Sequence, residues 1–162
     1  MAFAQQSTLR VEALELTRIF SRALTELRQN VNQRSSIDIQ IGAGISHFMA
    51  DEDALFRVLH ILTAHAELEN GKPQNFILSA KESKQTTEIL IELSFSSAQL
   101  CESGEDAMFE PFALAQSNTF SAGLGMATAR SIMNQMKGSL RARAFLDHRI
   151  TFEMRLPTEP TE

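Results

Sequence analysis

The chain has 162 residues, 43% of them hydrophobic, and a net charge of −5. That length bounds one domain large enough for a real core, and the acidic balance with only four lysines argues against a nucleic-acid partner. The single cysteine, Cys101, excludes an internal disulfide or a multi-cysteine metal site; no apolar run reaches membrane-span length and MAFAQQSTLR lacks a secretion-signal layout, so a cytoplasmic chain without membrane contact is expected.

Residues 1–8 read as a frayed start. From Val11 to Val31 the apolar positions Leu16, Ile19, Phe20, Ala23, Leu24 and Leu27 keep helical spacing, which predicts one amphipathic helix closed by Asn30, Asn32, Ser35 and Ser36. Ile37, Ile39 and Ile41 alternate, predicting a strand over Ser36 to Gly42; Ala43-Gly44 then turns the chain into Ile45 to Met49 as the second strand of a hairpin. Asp51-Glu52-Asp53 supplies acidic capping for a helix over Asp51 to Leu68, with Leu55, Val58, Leu59, Leu62 and Ala66 as its buried stripe and Asn70-Gly71-Lys72-Pro73 as its stop.

Two more strands are expected at Asn75 to Lys81 and Thr87 to Phe95, joined by the charged connection Lys81 to Thr86. After an irregular stretch come Phe109-Glu110-Pro111-Phe112, a loop of small and polar residues, and Gly123-Leu124-Gly125 opening a helix that runs to Met136. Lys137-Gly138 ends it with a glycine cap. Strands at Ser139 to Phe145 and Ile150 to Leu156 close the chain before a disordered acidic tail. The domain is 9–157 and the tail 158–162. Paired strands punctuated by single helices imply an α/β two-layer sandwich, one mixed β-sheet with helices packed on one face.

A Gly-x-Gly at a helix start lets backbone amides approach an anion at the positive end of the helix dipole. Alone this is a weak signal. FEPF followed by GLG at this spacing is more specific: it resembles the F-box and second glycine box of the ATP-binding domain of sensor histidine kinases, with a nucleotide lid between them. The likeness extends to Asp51–Leu62 (DEDALFRVLHIL), Gly123–Leu140 (GLGMATARSIMNQMKGSL) and Ile150–Pro157 (ITFEMRLP), which look like the approach to the N-box, the glycine-box helix and the closing strand. The resemblance implies the histidine-kinase-like ATPase (Bergerat) fold. It also implies ATP and Mg²⁺ as cofactors, with Gly123, Leu124, Gly125, His65, Glu67, Phe109 and Phe112 as cofactor-binding candidates and no metal ligand or catalytic residue assigned.

Several positions depart from the family pattern. Where the family carries its two N-box asparagines, this chain has Ile61 and His65, and the following lysine falls at Leu68. An imidazole is a poor substitute for the hard oxygen ligands that magnesium prefers. The adenine-reading aspartate of the first glycine box falls at Phe95, and its glycines at Ser97 and Gln99; an alternative alignment uses Glu102-Ser103-Gly104. From Glu110 to Ala129 there is no lysine or arginine, and Arg130 is the first cation after the lid, while Glu67, Glu69 and Glu110 oppose a triphosphate. None of His47, His60, His65 or His148 sits in a phosphoacceptor context.

The resemblance therefore implies the ATP-binding, catalytic-type domain of a two-component sensor histidine kinase with eroded nucleotide motifs, in which ATP binding is weak or lost. Its partners would be the histidine-kinase dimerisation domain or a response-regulator receiver domain. The alternative is a non-catalytic pseudo-kinase or histidine-phosphotransferase-type module, with Phe109, Phe112 and Phe120 as lid anchors or docking residues. A third reading is an anti-sigma-type serine kinase.

Overall fold

The computed structural model describes residues 9–30, 35–42, 46–70, 75–83, 87–96, 120–144 and 149–160. In chain order the elements are β1 (Glu12–Glu15), α1 (Leu16–Asn30), β2 (Ser36–Ile41), β3 (His47–Ala50), α2 (Glu52–Asn70), β4 (Asn75–Glu82), β5 (Glu88–Ser96), α3 (Phe120–Gln135), β6 (Ser139–Ala144) and β7 (Arg149–Pro157). The main sheet runs β2-β4-β5-β7-β6; β2 and β4 are parallel and every other pair is antiparallel. Parallel neighbours need a long crossover, and β3 and α2 supply it. The result is the two-layer α/β sandwich that the order of elements implied.

Side-chain alternation sorts the sheet into two faces. Phe76, Leu78 and Ala80 of β4, Ile89, Ile91, Leu93 and Phe95 of β5, and Ile150, Phe152, Met154 and Leu156 of β7 are buried. They meet a helix layer in which α1 contributes Leu16, Ile19, Phe20, Ala23 and Leu27, and α2 contributes Leu55, Val58, Leu59, Leu62 and Ala66. The 3.6-residue and two-residue periods read from the chain are the periods that fill this core.

The first hundred residues differ from expectation in two linked ways. The predicted first helix begins only at Leu16, because Glu12–Glu15 forms an antiparallel ribbon with β3, setting Leu14 opposite Phe48, both buried. The Leu16 amide donates to the Ser46 carbonyl at 2.8 Å, extending that ribbon to the first helical residue. The predicted β2–β3 hairpin is consequently absent: β3 is taken by β1, and β2 by β4. Neighbouring strands pair in most proteins, but here the tertiary partner wins over the sequence neighbour.

At the other end, α3 starts at Phe120, three residues before the expected Gly123. Its stop is also different in kind from a glycine cap. The residue in the left-handed region is Lys137 (φ 65°), and Gly138 donates to the Met133 carbonyl at 2.9 Å while Lys137 donates to Asn134 at 3.1 Å. That is a Schellman arrangement with lysine in the position glycine usually takes. Gly138 is required for another reason: a Cβ there would lie 2.2 Å from the Arg155 carbonyl oxygen. β7 runs to Pro157, and Thr158 donates from its amide to the Thr87 carbonyl at 2.9 Å, so the chain stays tied to the sheet one residue into the expected tail.

Candidate functional site

Of the residues singled out by the glycine-box pattern, Gly125 lies at the seam between α2 and α3. Gly125, half-buried on α3, faces α2, and a Cβ at that position would sit 3.4 Å from Ile61 Cγ2. Ile61 itself is half-buried against the core. Since α3 begins at Phe120, the amides of Leu124 and Gly125 fall inside the helical ladder, where each donor bonds the carbonyl four residues back. The amides left for an anion are those of the first turn, Phe120 to Gly123. Phe109 and Phe112, with Cys101, Ser97, Gln99, the Glu102–Gly104 alignment and the rest of the lid up to Thr119, lie outside the described residues.

Below this seam the sheet is aromatic. Phe95, at the end of β5, is 2% exposed and packs 5.5 Å (centroid to centroid) from Phe152 and 6.0 Å from Phe76. His65 stands on the sheet-facing side of α2, also 2% exposed, with its ring edge-on to Phe152 at 6.3 Å and 68°. The aligned aspartate and asparagine positions are thus brought together, on either side of Phe152, within one packed cluster. Glu67 is half-buried and accepts a 2.6 Å hydrogen bond from the Ser35 hydroxyl, which ties the end of α2 to the start of β2. Among the described residues no group of three His, Cys, Asp or Glu side chains is placed to hold a metal ion.

The charged chemistry of α2 lies at its other end, about 20 Å from His65 along the axis at 1.5 Å per residue. Asp51 caps the helix, accepting from the Ala54 amide at 3.0 Å through Oδ1 and from the Arg10 amide at 2.7 Å through Oδ2, while its own amide points to Met136 Sδ at 3.4 Å. Glu52 accepts from Arg18 at 2.8 and 3.3 Å and also from Arg22. The hydrogen bond from Arg18 is the main cause that holds the Glu52 carboxyl below the usual carboxylate range, with Arg22 adding to it against the cost of burial. Arg22 is raised, foremost by its 2.8 Å bond to Glu26, and its guanidinium lies 4.3 Å over the Phe56 ring.

Asp51, Glu52 and Asp53 were legible as capping residues, but their partners across 30 to 41 residues of sequence were not. No periodic signal marks such pairs. The aromatic cluster was half legible, because Phe76, Phe95 and Phe152 each fall on a predicted strand, while their contacts with one another and with His65 required the fold.

Comparison with known proteins rests on structure. No family model matches the chain, and no curated protein does. Among solved structures, the histidine kinase AdeS of Acinetobacter baumannii superposes with a TM-score of 0.72 at 16% identity, covering 98% of this chain and 72% of that one. The fold is that of the histidine-kinase catalytic domain. Histidine kinase ThkA in complex with the response regulator TrrA gives 0.73 at 16% identity, over 98% of this chain and 45% of that one. Full-length ShkA in complex with AMPPNP gives 0.77 at 14% identity, and there the chain covers 99% of its own length and only 34% of the other's. The sequence resemblance put the N-box on α2, the second glycine box on α3 and the adenine-reading aspartate at the end of β5. Here they carry Ile61 and His65, Gly123 to Gly125, and Phe95. Among the described residues, no helix is long and apolar enough to cross a membrane.

Proposed function

We propose that the chain is the ATPase-type domain of a two-component signalling protein whose nucleotide site has been converted into packing, so that ATP and Mg²⁺ bind weakly or not at all, and whose output is contact with other phosphorelay proteins. The observation that carries this reading is Phe95, 2% exposed between Phe76 and Phe152 at the position where the family reads adenine. An aromatic ring there can accept no hydrogen bond from an exocyclic amine, and an unread amine in a closed pocket costs about 1–3 kcal/mol, roughly ten- to hundredfold in affinity. Ile61 supports the same reading at the phosphate end, since it presents a methyl group, not an oxygen ligand, to the glycine segment. Any residual anion contact falls to the first-turn amides of α3 up to Gly123, with Leu124 and Gly125 behind them, while His65 and Glu67 serve the core and the β2 junction; Phe109 and Phe112 are assigned to anchoring the lid.

The partners proposed are a histidine-kinase dimerisation domain and a receiver domain. The likeness to ThkA, solved with the response regulator TrrA, supports the receiver domain; ShkA was solved with AMPPNP, a nucleotide analogue, which bears on a ligand of that protein and on no protein partner. The chain spans about a third to a half of those two proteins, so their full activities are not carried over. Titration with ATP, with and without Mg²⁺, followed by calorimetry and thermal shift, tests the proposal. No response at several times about 1 mM nucleotide is expected, and binding tighter than about 1 mM, some 4 kcal/mol, overturns it.

A further inference from the structure

The main sheet has two edges, and they are guarded differently. β6 ends it on one side and carries Arg141 and Arg143 within Ser139–Ala144. β2 ends it on the other side as Ser36-Ile37-Asp38-Ile39-Gln40-Ile41, in which Asp38 is the only charged residue. Charge, proline or a bulge on an edge strand discourages pairing with another chain. β2 has no proline and no basic residue, and among the described residues β4 is its only strand partner.

The open backbone groups of this edge can be located. Gly42 donates to the Ala80 carbonyl at 2.8 Å, continuing the β2–β4 ladder. Successive residues of a strand turn their N–H and C=O to opposite sides, so the even-numbered residues face β4, and Ile37, Ile39 and Ile41 present theirs at the outer edge. Their side chains share the helix side of the sheet under falling cover: Ile37 is 3% exposed, Ile39 half-buried and Ile41 41% exposed. The apolar stripe of β2 thus runs out from under the helix layer toward Ile41. Asp38 and Gln40, on the opposite face, are exposed.

We infer that β2 is a self-pairing edge: two copies of the chain join β2 to β2, antiparallel about a twofold axis at Ile39, and continue one sheet into the next. A twofold contact requires that residue i meet j while j meets i. With Ile39 opposite its own copy, Ile37 meets the partner's Ile41 and Asp38 meets the partner's Gln40. The isoleucine pairs then use the outward N–H and C=O groups, each pair exchanging both its bonds. They set the bare end of one apolar stripe beside the covered end of the other, and each Asp38 carboxylate accepts from a Gln40 amide. The neighbouring registers are poorer. Centring on Asp38 opposes two carboxylates, and centring on Gln40 leaves Asp38 beside a glycine. An extended segment of another protein would have to supply the same alternation and an amide opposite Asp38, whereas β2 supplies both itself. The ladder is short, so the contact belongs with the weak interfaces, below about 1,200 Å². It is made by this domain itself, apart from any dimerisation domain, and does not depend on the nucleotide reading.

Sedimentation velocity of the full chain at low ionic strength, from about 10 μM to about 1 mM, tests the inference in the range of weak interfaces. A monomer–dimer equilibrium is expected within that range. Two substitutions at one exposed position should move it in opposite directions. Gln40→Lys, which sets an ammonium against the partner's Asp38, should tighten the dimer several-fold; Gln40→Asp, which opposes like charges, should weaken it roughly tenfold. Ser131→Asp makes the same charge change on the exposed side of α3, the helix packed beside β6, and should leave the equilibrium unchanged. Should Gln40→Asp unfold the chain by circular dichroism, Gln40→Lys decides. A monomer at every concentration, open-ended assembly in place of a dimer, an equal loss with Ser131→Asp, or shifts of the same sign from both Gln40 substitutions would each overturn the inference.

Discussion

The two ends of α2 solve different problems with the same helix. At the N-terminal end, Asp51, Glu52, Arg18 and Arg22 hold incoming chain, α1 and α2 together through charge and directed hydrogen bonds. At the other, Ile61 and His65 meet α3 and the sheet through shape, beside Phe95 and Phe152. Polar chemistry is concentrated where it stabilises the fold and thinned where the fold's relatives suggest a ligand. Under the function proposed above, the difference teaches that a helix can keep its place in a fold while the end that faces a site becomes core.

The comparison can be broken most forcefully at Phe95. Phe95→Asp restores the carboxylate expected of an adenine pocket but places it between Phe76 and Phe152, so it should cost at least the about 3–5 kcal/mol of a buried Phe→Ala change. Urea unfolding measures that loss, and ATP should not recover it; a stabilisation by ATP would mean that the C-terminal end of α2 is still a nucleotide site. Next in size is Asp51→Ala, expected to cost about 1–2 kcal/mol because it removes the acceptor for both the Ala54 and Arg10 amides. Asp51→Asn, which keeps a capping oxygen, should recover much of that loss in the same assay.

Ile61→Asn sharpens the contrast from the site side. It trades a half-buried aliphatic contact with α3 for an oxygen ligand, so about 1 kcal/mol of stability should be lost, while calorimetry with Mg²⁺ and ATP should register no gain in binding. Glu52→Gln is the smallest change, under about 1 kcal/mol at neutral pH for a pair this close to solvent. Its signature is in the pH dependence. A carboxyl held below its ordinary value contributes stability above its unfolded pKa, about 4.3 for glutamate, and that contribution fades as pH falls through the lowered folded value. Thermal melts of Glu52→Gln should therefore fall less steeply than the parent below about pH 4.3.

Much of the fold was legible because burial is periodic. Leu55 to Ala66 announced a helix stripe, and Ile89 to Phe95 a strand, and both faces stand as read. What the sequence could not carry was partner choice. Nothing in Glu12–Glu15 says that it will leave a helical run to pair with His47–Ala50, since the gain resides in a ladder with residues 32 to 38 positions away. The candidate site was legible to the same depth. GLG and the altered N-box marked positions on α3 and α2, but that Gly125 faces Ile61, that α3 begins at Phe120 and that His65 meets Phe152 followed from packing between elements, which local pattern does not encode.

The Lys137–Gly138 turn carries a consequence for the opposite side of the molecule. It closes α3 and, with Gly138 pressed on the Arg155 carbonyl, leaves no slack before β6 begins at Ser139. Strand side chains alternate, so inserting or deleting one residue at this turn would invert the whole of β6 if the strand kept its pairing. Arg141 and Arg143 would then point at the helix layer, and Leu140 and Ala142 at water. Two residues at the end of a helix thus set the sign of charge presented by a surface on the far side of the sheet.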